Sequence, residues 1–89
     1  MHIGNLIKQQ LEEQGRTVVW FARKLSCSRT NVYKIFEKPS IDTNLLLRIS
    51  SILNYDFFKH YTEYFKDTYI CINVLSEYLN LPHYRGDKE

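Results

Sequence analysis

Apolar residues recur along this chain at helical spacing in one segment after another. The first runs from about Ile3 to Gln14, with Ile3, Leu6, Ile7 and Leu11 on one stripe and Lys8, Gln9, Glu12 and Glu13 off it. Gly15 follows where a helix C-cap belongs. A second, about two turns long, begins after Thr17, a good N-cap, and places Val18, Phe21, Ala22 and Leu25 on its inner face with Arg23 and Lys24 outside. Ser28 can cap a third helix over residues 29–36, with an inner stripe of Val32, Ile35 and Phe36 and an outer one of Arg29, Thr30, Tyr33 and Lys34. Pro39 breaks the pattern after Lys38, because its ring removes a donor and disfavours helix in the preceding residue. Asp42 then caps a fourth helix carrying Leu45, Leu46, Ile49, Ile52 and Leu53, and Asn54 fits a left-handed stop. Asp56 opens a fifth to about Lys66, with Phe57, Phe58, Tyr61, Tyr64 and Phe65 as its apolar material.

The remainder reads two ways. Residues 68–74 are β-branched or aromatic almost throughout, as a strand would be. Ile70, Cys71, Val74, Leu75, Tyr78 and Leu79 also form a helical stripe ending before Pro82, and the all-helical context tips the balance toward helix. The expected fold is mainly α, a compact bundle of about five helices with a helix-turn-helix in the second and third. Residues 1–66 would form the domain, and residues 67–89 a C-terminal extension of helix or short strand with a frayed end.

At 89 residues and 10.7 kDa the chain has room for one small core and none for a doubly wound sheet or a barrel enzyme. With 44% apolar and 25% charged residues it has the composition of a soluble globule. No apolar run approaches the roughly 18 residues of a membrane span, and Lys8, Glu12 and Glu13 interrupt the place of a signal peptide. A cytoplasmic protein with no membrane partner is expected. Cys27 and Cys71 then read as free thiols in packing roles. His2, His60 and His83 are scattered, so each is expected to be solvated or at the core edge, with no metal bound.

The net charge of +2 conceals an asymmetry. Residues 1–50 carry eight basic and four acidic side chains, and residues 51–89 carry four and six. Within residues 16–38 six basic residues face only Glu37, a local +5 that suits an anionic partner. Nine of the thirteen aromatics lie in the last 35 residues, so the two halves have different work to do.

A short helix pair with a basic outer face on its second member has the helix-turn-helix pattern. Gly15-Arg16-Thr17, then Phe21-Ala22-x-Lys24-Leu25, then Ser28-Arg29-Thr30-Asn31-Val32-x-Lys34-Ile35, and then Leu46-Leu47-Arg48-Ile49 before Leu53 together resemble the Xre/Cro family of repressor-like DNA-binding domains over residues 3 to about 65. The resemblance implies a bundle of about five helices with the third in the major groove of double-stranded DNA. The chain departs from the family in Val18, where Gln often holds a phosphate, in Ser26, where Gly is usual in the turn, in Phe36, where an acidic residue is common near the end of the third helix, and in Glu37-Lys38, where Asn-Gly often follows it. A left-handed Ser26 would cost roughly 1 kcal/mol.

In that geometry Arg29 is the leading base reader, since arginine donates two parallel bonds to guanine O6 and N7. Thr30 suits a thymine methyl, Lys34 a guanine or phosphate, and Tyr33 completes the base-reading set. Ser28 and Asn31 suit phosphates at the helix N-terminus, together with Thr17. Arg16, Arg23, Lys24 and Lys38 supply sequence-independent attraction. Trp20, on the outer side of the second helix, is expected to pack against the tail.

Most of Phe57, Phe58, Tyr61 and Phe65 should close the core beneath the first and fourth helices. The surplus aromatics suggest a homodimer built by residues 55–81, especially Tyr64, Phe65, Tyr69, Ile70, Val74 and Leu79. The expected function is sequence-specific transcriptional regulation by site occupancy, without a cofactor. The alternative is a protein-interaction module, antitoxin-like or adaptor, that touches DNA weakly or not at all. An enzyme is disfavoured, because no paired carboxylates, Ser-His or Cys-His set and no glycine-rich loop occur at recognisable spacing.

Overall fold

Four helices begin on a side chain that accepts from the backbone amide three residues on. The computed structural model describes residues 1–70, and in it His2 Nδ1 accepts from Asn5 N (3.1 Å), Thr17 Oγ1 from Trp20 N (3.0 Å), Ser28 Oγ from Asn31 N (3.1 Å) and Asp42 Oδ1 from Leu45 N (2.9 Å). Each bond satisfies one of the donors that a helix start leaves without an intrahelical partner. The helices that follow are α1 (Ile3–Glu13), α2 (Val18–Leu25), α3 (Arg29–Phe36) and α4 (Thr43–Leu53), with α5 (Phe58–Phe65) after them. The protein is mainly α, and no strand occurs among the described residues.

Three of these helices end alike. After α1, Gly15 N donates to Glu12 O (3.0 Å) and Arg16 N to Leu11 O (3.1 Å). Ser26 and Cys27 repeat the pair on Arg23 and Ala22 after α2, and Asn54 and Tyr55 on Ser51 and Ser50 after α4. This paired closure needs a left-handed residue at its centre, and Gly15, Ser26 and Asn54 have φ of 70°, 58° and 50°. Ser26 therefore adopts the left-handed conformation that glycine takes most readily, and carries the steric cost of its Cβ there.

α3 closes differently, on Glu37 in the right-handed region, and its exit serves α1 instead. Gly4 N donates to Lys38 O (2.9 Å) and Ile3 N to Pro39 O (2.9 Å). Gly4 is buried so tightly that a Cβ there would overlap the carbonyl oxygens of Ile35 and Phe36. Two longer links complete the frame. Gln14 Nε2 donates to Leu53 O (2.7 Å), joining the ends of α1 and α4, and Arg48 Nη2 donates to Leu25 O (3.2 Å), joining α4 to the end of α2.

The chain divides into two compact units, Met1–Phe57 and the chain from Phe58 onward, a division earlier than the boundary expected after residue 66. In the first unit the core is Ile3, Ile7 and Leu11 of α1, Phe21, Ala22 and Leu25 of α2, Val32, Ile35 and Phe36 of α3, Leu46, Ile49 and Leu53 of α4, and Phe57. Val18, expected inside, is half-buried, as are Leu6, Leu45 and Ile52. Phe57 alone of the four expected aromatics is buried, packed against the Tyr55 ring at 4.7 Å. Phe58 and Tyr61 are half-buried and Phe65 is 48% exposed.

In the second unit α5 starts at Phe58 rather than Asp56, because the left-handed Asn54 ends α4 and Phe57 enters the core before a new helix can form. A π-helical turn, Lys66–Ile70, continues from α5, so residues 68–70 are helical and not strand. The rest of the helix-or-strand question, and Cys71, Val74, Leu79 and His83 with it, lies outside the described residues. No helix among the described residues is long and apolar enough to cross a membrane.

Two substitutions test this frame. Gly4→Ala meets backbone that cannot swing aside, and should cost about 3 kcal/mol, read as a lowered urea midpoint. Ser26→Gly should add roughly 1 kcal/mol, and about 4–8 °C to the melting temperature per kcal/mol in a domain of this size.

Candidate nucleic-acid interface

A helix with one buried stripe leaves the opposite side to solvent, and α3 is short enough for that side to be nearly all of its polar residues. Arg29, Thr30, Asn31, Tyr33 and Lys34 are all exposed, while Val32, Ile35 and Phe36 are buried. α3 packs on α2, across the three-residue turn 26–28, and on α1, so the core side is fully engaged. Tyr33 is 54% exposed and its ring meets the edge of Phe36 at 6.2 Å and 79°, which fixes the phenol beside the outer face.

Arg29 stands in the first turn of α3, where the amide dipoles make the helix end positive. No acidic residue in that turn offsets the cation. The result is a locally unfavourable concentration of positive charge that an anion would relieve. Lys34, by contrast, is in the last turn, where the dipole favours it, as are Arg23 and Lys24 in the last turn of α2.

Trp20 of α2 orders two cations, Arg16 just before the helix and Lys24 within it. The Arg16 guanidinium lies over the indole at 4.4 Å from its centroid, and the Lys24 ammonium at 5.9 Å. Such a contact contributes about 0.5–1 kcal/mol at an exposed site, and Lys24 is near the outer limit of its range. Trp20 is half-buried, and Arg16 and Lys24 partly cover it; the expected contact with the tail lies outside the described residues. The i−4, i, i+4 spacing of Arg16, Trp20 and Lys24 is the sequence signal of this stack.

The other expected backbone contacts divide. Thr17 and Ser28 are exposed, but each side-chain oxygen is engaged as a helix cap. Arg23 is exposed on α2 away from the buried stripe. Asn31, Lys34 and Lys38 lie together with Arg48 on a groove of about 270 Å³ between α3 and α4. Arg48, the one cation of α4, joins this set although nothing local in the sequence marks that it reaches the end of α2. Cys27, half-buried and with a free thiol, also borders the groove.

Of the expected dimer residues, Tyr64, Phe65 and Tyr69 are 45%, 48% and 47% exposed, and the Phe65 and Tyr69 rings stack at 5.7 Å. His2 caps α1 rather than standing free, and His60 is half-buried. Among the described residues no three metal-ligating side chains come together. No family model, curated protein or solved structure matches this chain.

Arg29 yields a test that needs no DNA. Arg29→Ala removes a cation from the positive end of α3 and should raise the free energy of unfolding by about 0.3–1 kcal/mol at low salt, with the gain shrinking as salt screens it. Urea titrations at two ionic strengths read both effects.

Proposed function

We propose that this chain is a sequence-specific DNA-binding regulator of transcription that acts in the cytoplasm by occupying its site rather than by catalysis. The observation that carries the reading is Arg29: a cation held at the positive end of an exposed helix, with Thr30, Tyr33 and Lys34 beside it and no acid in the first turn. A side chain placed against its local electrostatics suits a phosphate-lined groove better than it suits water.

In this reading α3 enters the major groove. Arg29 takes guanine, Thr30 and Lys34 contact neighbouring bases, and Tyr33 reaches a base or sugar edge. Asn31, Arg16, Arg23, Lys24 and Lys38 hold phosphates, and the capping hydroxyls of Thr17 and Ser28 keep the helix starts formed beside them. The resemblance to the Xre/Cro family supports the same docking. A single helix makes few base contacts, so a homodimer reading half-sites about 34 Å apart completes the mechanism, with Tyr64, Phe65 and Tyr69 in its interface.

The exposed aromatics of the second unit also suit the alternative, a protein-interaction module with weak or no DNA binding. The two readings part in one measurement. Fluorescence anisotropy with duplexes selected from a random pool should show tight binding that weakens steeply with salt; no binding even to random duplex at about 50 mM salt rejects DNA recognition and leaves the interaction module.

With a selected duplex, Arg29→Ala should lose about 1–3 kcal/mol and relax base preference, whereas Lys24→Ala should weaken all duplexes similarly and flatten the salt dependence. An Arg29→Ala variant that keeps the parent's ratio of specific to random affinity removes Arg29 from the base-reading role. Sedimentation at micromolar concentration should give a dimer, and Tyr64→Glu with Phe65→Glu should return a monomer.

A further inference from the structure

The groove between α3 and α4 combines two properties that neither the core nor a DNA surface requires. Its base is apolar: Leu25 and Ile35 are buried and Leu45 is half-buried. Its edges are cationic, with Lys34 and Lys38 on one side, Arg48 on the other, and no acidic residue among those that line it. Three like charges around one concavity repel one another, and an anion between them relieves that repulsion. A DNA backbone would meet the charges but gain nothing from the apolar base.

Arg48 differs from the two lysines in being held. Its Nη2 donates to Leu25 O at 3.2 Å in a partly buried position, which anchors the guanidinium at the end of α2. A guanidinium carries five N–H donors in a planar fork, so one such bond leaves most of them for a ligand. The fork matches the two oxygens of a carboxylate, and the flexible ammonium groups of Lys34 and Lys38 add charge without demanding a geometry. At about 270 Å³ the space lies just under the roughly 300–1,000 Å³ of clefts that hold drug-sized molecules. It suits a small molecule rather than a helix or strand of a partner.

We infer that this groove binds a small organic carboxylate with a short apolar body, the carboxylate on Arg48 between Lys34 and Lys38, the body over Leu25, Ile35 and Leu45. Binding places one negative charge beside Lys34 and Lys38, which also belong to the proposed DNA surface, and so lowers the positive charge facing DNA; the ligand antagonises DNA binding. The site stands on its own geometry, and the antagonism rests on the DNA reading.

Hexanoate is the probe, titrated into the full-length protein and followed by amide chemical shifts at constant ionic strength. Saturable shifts are expected around Lys34 to Lys38 and Leu45 to Arg48, with no comparable saturation by hexanol, acetate or inorganic phosphate. Arg48→Gln should weaken hexanoate about tenfold, and Lys38→Gln, exposed and outside every helix, should weaken it by a smaller factor without touching the fold. Absence of saturation, equal saturation by acetate or phosphate, or unchanged hexanoate affinity in both variants overturns the site. In the DNA arm, hexanoate should raise the dissociation constant of the selected duplex for the parent protein, and about tenfold more hexanoate should be needed for the same effect in the Arg48→Gln variant. Saturable hexanoate binding with unaltered DNA affinity sustains the site and overturns the antagonism, and a protein that binds no DNA fails the functional reading while the shift titration still decides the site.

Discussion

The first unit depends on how closely α1 can approach the end of α3. Gly4 lies where any side chain would overlap the Ile35 and Phe36 carbonyls, and at that distance the first amides of α1 reach the carbonyls of Lys38 and Pro39. One missing methyl group thus does two things. It lets Ile3, Ile7 and Leu11 pack without a gap, and it satisfies backbone donors that would otherwise be buried without partners. With its inner side pinned in this way, α3 has no freedom to roll, and Arg29, Thr30 and Lys34 are committed to the outside.

The positive surface that results is organised at three scales. At the start of α3 a single cation sits on the helix dipole with nothing to offset it. At α2, Arg16 before the helix and Lys24 within it share one indole, which limits their rotamers before any partner arrives and so lowers the entropy lost on contact. Between α3 and α4, three cations surround an apolar base, and one of them is tied to the backbone. Charge alone is common on a small protein's surface; charge that is already oriented is what gives a binding surface its geometry.

What was legible in the sequence was what is decided within a few residues. Thr17, Ser28 and Asp42 cap their helices and Gly15 and Asn54 end theirs, because a capping bond spans three residues and a left-handed stop depends on one. The bounds of α3 and its inner and outer faces followed from the same local rules. Gly4, Gln14 and Arg48 were opaque because their meaning lies in residues far along the chain. The aromatic run after Asn54 was misjudged for a related reason: composition shows that Phe57, Phe58, Tyr61 and Phe65 are apolar, but not that Phe57 alone is enough to close the core. Of the candidate interface, the exposed face of α3 was readable from its period, whereas the Trp20 stack and the groove exist only once helices are placed side by side.

The bond from Gln14 to Leu53 spans 39 residues, and those from Ile3 and Gly4 reach across to the segment after α3. Both ends of α1 are therefore completed by residues synthesised well after it. Until α3 has emerged to pack on it, α1 has a length at which isolated helices are marginal and an apolar stripe without its main cover. Local helix formation alone leaves these long-range bonds unmade, so α1 gains its full support only once residues 38, 39 and 53 are in place, and the outer face of α3 is fixed at the same stage.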